Sequence, residues 1–262
     1  MREPSRRTGE ERIASVPPSP AAPSGSSPHP GAVRDARDVR EMFGRIVRRY
    51  DAMNRLMTGG RDVAWRREAA RLAVGTGAER VLDVATGTGD LALALAAAGA
   101  RFVVGLDFAD PMVRAAAAKA RDHPDVAFVV GDALRLPFAN AQFDACTVAF
   151  GLRNMADYEA ALRELSRVLR PGGRLVCLEL TPYRRPVLGR LFGWYFARLV
   201  PLVGGLLSGD REAYRYLPRS VAAFPSADAL ARLMRQTGLT GVSHRLLGGG
   251  AVALHVGTKA AH

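Results

Sequence analysis

Cysteine is scarce in this chain: Cys146 and Cys177 are the only two in 262 residues, and both sit in apolar runs. That excludes a disulfide scaffold and reads as two buried thiols in a reducing compartment. The histidines, at 29, 123, 244, 255 and 262, are too scattered to show metal-ligand spacing, so no metal is expected. Lysine is nearly missing too. Of 37 basic residues only Lys119 and Lys259 are lysine. Such an Arg and Ala bias suits a GC-rich genome, and it keeps the net charge of +12 from being read by itself as nucleic-acid affinity. No recognised nucleic-acid motif accompanies that charge. A clean secretory signal is absent as well. The most apolar segment, VLGRLFGWYFARLVPLVGGLL, is broken by Arg190, Arg198 and Pro201. Central arginines cost about 2.5–3.5 kcal/mol each on insertion scales, so this is not read as a spanning helix.

What is present suits one domain with extensions. Residues 1–34 form a Pro/Ser-rich tail, too poor in apolar surface to order itself. Residues 35–262 make the domain, with N-terminal helices over 35–75. Apolar residues spaced three and four apart (Val39, Met42, Phe43, Ile46, Tyr50, Met53, Met57) predict a helix over 35–57, stopped by Gly59-Gly60, with a second over 62–73. Strands are expected at 81–85, 102–106, 126–130, 143–149 and 173–180. Helices are expected at 89–98, 110–121, 157–169 and 226–237, and a closing hairpin at 240–246 and 250–257. This alternation argues an α/β fold: a parallel sheet covered by helices on both faces, its ligand outside the carboxyl ends of the strands. Charge is uneven. Residues 72–180 carry a net −2, whereas the insertion 181–219 carries +5. A basic, aromatic-bearing apolar insertion suits a membrane surface or a lid over an apolar substrate.

The densest signal is Val81 to Asp90, VLDVATGTGD. An apolar run ends in an acid, breaks into a glycine turn and becomes an Ala/Leu helix. Gly87 and Gly89 permit a tight turn and close backbone approach, and the free N–H groups of the next helix face the ligand. Asp107 ends the following apolar run and is placed to hold a ribose diol. A nucleoside-bearing cofactor follows, either a dinucleotide or S-adenosylmethionine (SAM). Asp83 separates the two, since an acid beneath the loop repels a pyrophosphate but not the amino group of SAM. The acid-x-x-x-Gly-x-Gly turn resembles the Rossmann-like class I SAM-dependent methyltransferases. That resemblance implies a seven-stranded, mostly parallel sheet with a C-terminal antiparallel hairpin. It also puts Asp132, at the end of the third strand, on the adenine edge.

Four further segments narrow the resemblance. They are MFGRIVRRYDAMNRLMTGGRDVAWRR (42–67), FGLRN (150–154), DREAYRYLPRS (210–220) and VALHVGTKA (252–260). Together they make the chain similar to the ubiquinone/menaquinone biosynthesis C-methyltransferases over residues 36–260. The implied activity moves a methyl group from SAM to a ring carbon of a polyprenylated quinol. The GC-biased composition favours 2-demethylmenaquinol as acceptor and menaquinol as product. The alternatives are another phenolic or quinol metabolite, a ubiquinone precursor, a nucleic-acid methyltransferase or an inactive SAM-binding scaffold. In this resemblance the donor is held by Asp83, Gly87, Thr88, Asp107, Asp132 and Ala133. Arg153 is a fixed cation beside the developing phenolate, Asn154 orients the quinol oxygen, and Tyr50 and Asn54 face the site from the covering N-terminal helix. Asp51 is an alternative base, and His255 is assigned a structural role in the last strand. Ala149 replaces a small hydroxyl residue of many relatives, and Thr86 requires a negative φ. The implied setting is the cytoplasm, peripheral to the inner face of the plasma membrane, with a homodimer left open.

Overall fold

The computed structural model describes residues 47, 50–75, 77–182 and 218–261. The tail, most of the helix expected over 35–57 and nearly all of the insertion and DREAYRYLPRS segment lie outside them.

Seven strands are separated mostly by helices. Helix α1 (50–58) is followed by α2 (Arg61–Val74), β1 (Arg80–Val84), α3 (Asp90–Ala97), β2 (Phe102–Asp107) and α4 (Asp110–Lys119). Then come β3 (Val126–Val130), β4 (Phe143–Ala149), a 3-10 turn (Leu152–Asn154), α5 (Tyr158–Val168) and β5 (Leu169–Leu180). A short helix α6 (218–223), α7 (Ala227–Gln236), β6 (Leu239–Leu247) and β7 (Val252–Lys259) close the chain. The sheet order is β3-β2-β1-β4-β5-β7-β6. The pairs among the first five strands are parallel, and β7 runs antiparallel to both β5 and β6. The expected hairpin is therefore the antiparallel edge of an otherwise parallel sheet. Strand β5 begins four residues earlier than its apolar run, because Leu169 already pairs with Phe143 before the register shifts at Ala145.

Alternation along each strand sends neighbouring side chains to opposite faces. Val81 joins one core layer with Ala69, Ala70 and Ala73 of α2 and Leu91 and Leu95 of α3. Leu82 joins the other with Leu162 and Leu165 of α5 and Leu230 and Met234 of α7. Ala69, Ala70 and Ala73 are fully buried, and their small size lets that helix lie close on the sheet. Asp157 and Ser226 cap α5 and α7 by accepting the Ala160 and Ala229 N–H groups. Phe143 is fully buried and meets Phe138 edge to face at 5.1 Å. Its truncation to Ala would cost about 3–5 kcal/mol. Both lysines tie elements together. Lys259 donates to the Leu169 carbonyl at 2.7 Å, and Lys119 bridges Asp51 and Asp90.

Candidate active site

Strands β1 and β4 are adjacent, yet their following helices α3 and α5 pack on opposite faces. Such a switch point opens a crevice at the carboxyl ends of the strands. Both strands exit through a residue in the left-handed region, Ala85 (φ 54°) and Phe150 (φ 57°). The two exits touch. A Cβ on Gly151 would stand 2.4 Å from the Ala85 Cβ, so only glycine fits after Phe150.

The turn after β1 places Gly87 at φ 57° and Gly89 at φ 83°, the latter as N-cap of α3. Thr86 is not among the positive-φ residues, as its side chain requires. Its hydroxyl donates to Asp83 Oδ2 at 2.6 Å, and the Thr147 hydroxyl donates to Oδ1 at 2.7 Å. Burial pushes the Asp83 carboxyl up to about 6, with the two hydroxyls and the Arg66 charge opposing the rise. Asp107 ends β2 with both oxygens held, Oδ2 by the Gly87 N–H at 2.9 Å and Oδ1 by the Ala109 N–H at 3.0 Å. Asp132 accepts the Leu134 N–H at 2.9 Å.

These ends enclose a cavity of ≈ 270 Å³. Of the residues singled out from the sequence, Tyr50, Gly87, Asp107, Asp132, Ala133 and Asn154 line it. The wall is otherwise largely apolar, with Leu106, Phe108, Met112, Leu134, Phe150 and Met155. Asn154 donates from Nδ2 to the Phe150 carbonyl at 3.3 Å, while its Oδ1 is buried without a partner. Burial raises the Tyr50 phenol. Arg66, Arg153 and a hydrogen bond with Asn54 pull it back down.

Asp83, Thr88, Asn54 and Arg153 are not on that wall. Asp83 is sealed beneath the turn, and Asn54 turns to Tyr50. The Thr88 hydroxyl donates to Asp51 Oδ1 at 2.5 Å, and Lys119 holds Oδ2 of the same carboxylate at 2.6 Å, so Asp51 is engaged at both oxygens. Arg153, expected as a fixed cation, is held in an ion pair. Its Nη1 is 2.6 Å from Glu179 Oε1 and also donates to the Phe150 carbonyl at 2.6 Å. Glu179 sits at the end of the neighbouring strand β5, and it also accepts the Arg153 and Leu180 N–H groups. His255 lies on β7, with Nε2 donating to the Ala227 carbonyl at 2.9 Å. Burial holds it down at about 4.

Two residues escaped the sequence reading. Glu179 carried a signal, an acid inside the apolar run VCLEL. Arg66 carried none, being one arginine among many. It emerges on α2, buried, with its guanidinium 5.2 Å from the centroid of the Phe150 ring.

The sequence profile of the ubiE/COQ5 methyltransferase family matches residues 31–259. A demethylmenaquinone methyltransferase of Thermus thermophilus is 52% identical over 221 residues, covering 83% of this chain and 100% of its own. A ubiquinone/menaquinone biosynthesis C-methyltransferase of Syntrophotalea carbinolica is 44% identical, covering 86% and 96%. Among solved structures, a SAM-dependent methyltransferase of Thermotoga maritima superposes with a TM-score of 0.57 at 22% identity, covering 84% of this chain and 99% of its own. The [4+2]-cyclase SpnF gives 0.58 at 20% identity, covering 87% and 97%. The structural neighbours establish the fold alone.

Proposed function

The chain belongs to the ubiE/COQ5 methyltransferase family, and we propose that it transfers a methyl group from SAM to a ring carbon of 2-demethylmenaquinol, giving menaquinol and S-adenosylhomocysteine. The observation that carries the acceptor is the 52% identity to the full length of a relative named for this reaction.

The residues present fit the donor. The Asp107 carboxylate on the cavity wall suits two ribose hydroxyls, and Asp132 with Ala133 suits the adenine amine and edge. When bound, SAM supplies an electrophilic methyl carbon whose C–S bond breaks as the new C–C bond forms, leaving a neutral thioether. The rest falls to this chain. A ring carbon is a weak nucleophile until the adjacent hydroxyl ionises, and the ring proton must then depart. The unpartnered Oδ1 of Asn154 suits a quinol hydroxyl, accepting its hydrogen and fixing the ring. Arg153 braces Phe150 and lends positive charge near Tyr50, favouring the phenolate. Asp83 supports the glycine turn from below, Thr88 ties it to Asp51 of α1, and Asn54 orients the Tyr50 hydroxyl. The apolar wall of Leu106, Phe108, Met112 and Met155 excludes water.

In this reading residues 1–34 are a tail. The sequence of the insertion 181–219, basic and apolar, suits the inner face of the plasma membrane or a cover for the prenylated substrate; its net +5 supports attraction to anionic lipid. No helix among the described residues is long and apolar enough to cross a membrane.

The test is turnover of a short-prenyl demethylmenaquinol with SAM, followed by mass spectrometry of the naphthoquinol. A methylated ring is expected, and its absence would sink the proposal. A demethylated ubiquinone precursor in the parallel assay decides between the two quinone types that relatives are named for.

A further inference from the structure

Arg66 is a buried cation with a poor complement. Its side chain is 9% exposed, and its Nε has no hydrogen-bond acceptor. The Asp62 carboxylate stands 3.9 Å from that Nε, beyond hydrogen-bond reach, and Asp62 already takes the Thr58 hydroxyl at 2.9 Å. Burying a guanidinium without matched acceptors is costly, so an anion that completes it is the natural resolution.

The position of Arg66 says which anion. Its guanidinium covers the Phe150 ring, and its charge reaches both the Tyr50 hydroxyl and the Asp83 carboxylate. Phe150 and Tyr50 line the cavity, and Tyr50 Cε1 lies 3.7 Å from where a Cβ on Gly87 would stand. Arg66 therefore stands behind Phe150, next to the glycine-turn end of the cavity rather than on its wall. The acids Asp107 and Asp132 lie at the β2 and β3 ends and suit hydroxyls and amines.

Resting on the SAM reading above, we propose that Arg66 binds the α-carboxylate of the donor's methionine part. That carboxylate is the donor's only formal negative charge. The paired N–H groups of a guanidinium match it in a way a point charge cannot. The amino-acid end of the donor is thus anchored by a cation from α2.

The experiment compares two ligands that share the adenosine part. S-adenosylhomocysteine carries the carboxylate; 5′-methylthioadenosine lacks the amino-acid end. Both are titrated calorimetrically into the wild type, Arg66→Gln and Arg66→Lys. The wild type binds S-adenosylhomocysteine. Arg66→Gln weakens that binding about 10–100-fold, as loss of a charge-assisted bond predicts, and Arg66→Lys recovers part of it. Binding of 5′-methylthioadenosine stays within about twofold throughout, which also reports an intact cavity. Equal losses for both ligands would overturn the proposal by making Arg66 a support of the turn. Unchanged S-adenosylhomocysteine binding, with only the pH profile of kcat displaced, would overturn it by assigning the charge to the acceptor. A wild type that binds neither ligand would instead overturn the SAM reading itself.

Discussion

Arg153 Nη1 lies 2.6 Å from Glu179 Oε1, and the same nitrogen donates to the Phe150 carbonyl at 2.6 Å. This ion pair links the loop after β4 to the end of β5 and fixes the backbone of the cavity wall. Phe150 needs the help, because a left-handed φ at a bulky residue is strained. Its N–H donates to the Leu178 carbonyl at 2.8 Å, Asn154 shares its carbonyl, and Arg66 covers its ring. The FGLRN segment is largely a brace for itself.

Arg153→Ala and Glu179→Ala should therefore behave alike. Each strands a buried charge, at a cost of about 3–5 kcal/mol. Thermal denaturation should show a lowered Tm for both, and turnover should fall together although Glu179 is absent from the cavity wall. Full turnover in Glu179→Ala beside an inactive Arg153→Ala would show that Arg153 acts on the substrate directly.

Asp107→Asn turns an amide toward N–H donors that now meet carboxylate oxygens. We expect S-adenosylhomocysteine to bind about 10–100-fold more weakly, in line with about 1.5–3 kcal/mol for a hydrogen bond to a charged group. Calorimetric titration reads this directly, and unchanged affinity would remove Asp107 from the binding site.

Asp51 fastens α1 over the glycine turn, taking the Thr88 hydroxyl with one oxygen and Lys119 with the other. Lys119 also holds Asp90 of α3 at 2.7 Å. The lysine is 31% exposed, so the pair contributes less than about 1 kcal/mol. In stopped-flow displacement, Lys119→Met should release S-adenosylhomocysteine up to about fivefold faster. Added salt should speed release from the wild type more than from the variant. Identical salt dependence would count against the fastening.

Two buried groups pull acid stability in opposite directions. Asp83 titrates near 6 in the folded chain against an ordinary 3.8. Its contribution is full below 3.8 and lost as pH rises through 6, a swing of about 3 kcal/mol. His255 titrates near 4 against an ordinary 6.5. Its contribution is full above 6.5 and lost as pH falls through 4, again about 3 kcal/mol. Urea unfolding between pH 3.5 and 7.5, values spanning roughly both windows, should show Asp83→Asn gaining on the wild type as pH rises. His255→Gln should gain on it as pH falls. Parallel curves for wild type and variants would refute the assignments.

The sequence by itself determined the sheet and the glycine-turn end of the cavity. Short apolar runs ending in Asp83, Asp107 and near Asp132, with glycines at 87 and 89, are local patterns, and each element forms from residues near in sequence. The early start of β5 was invisible because pairing of Leu169 with Phe143 is a tertiary fact. Tertiary structure alone decided which charges meet. Arg153 and Glu179 are 26 residues apart, Asp51 and Lys119 are 68 apart, and Arg66 of α2 meets Phe150 just beyond the end of β4. An ion pair depends on distance and on exclusion of water. Neither is written in spacing along a chain where arginines are common; both appear only when α2 and the ends of β4 and β5 come together.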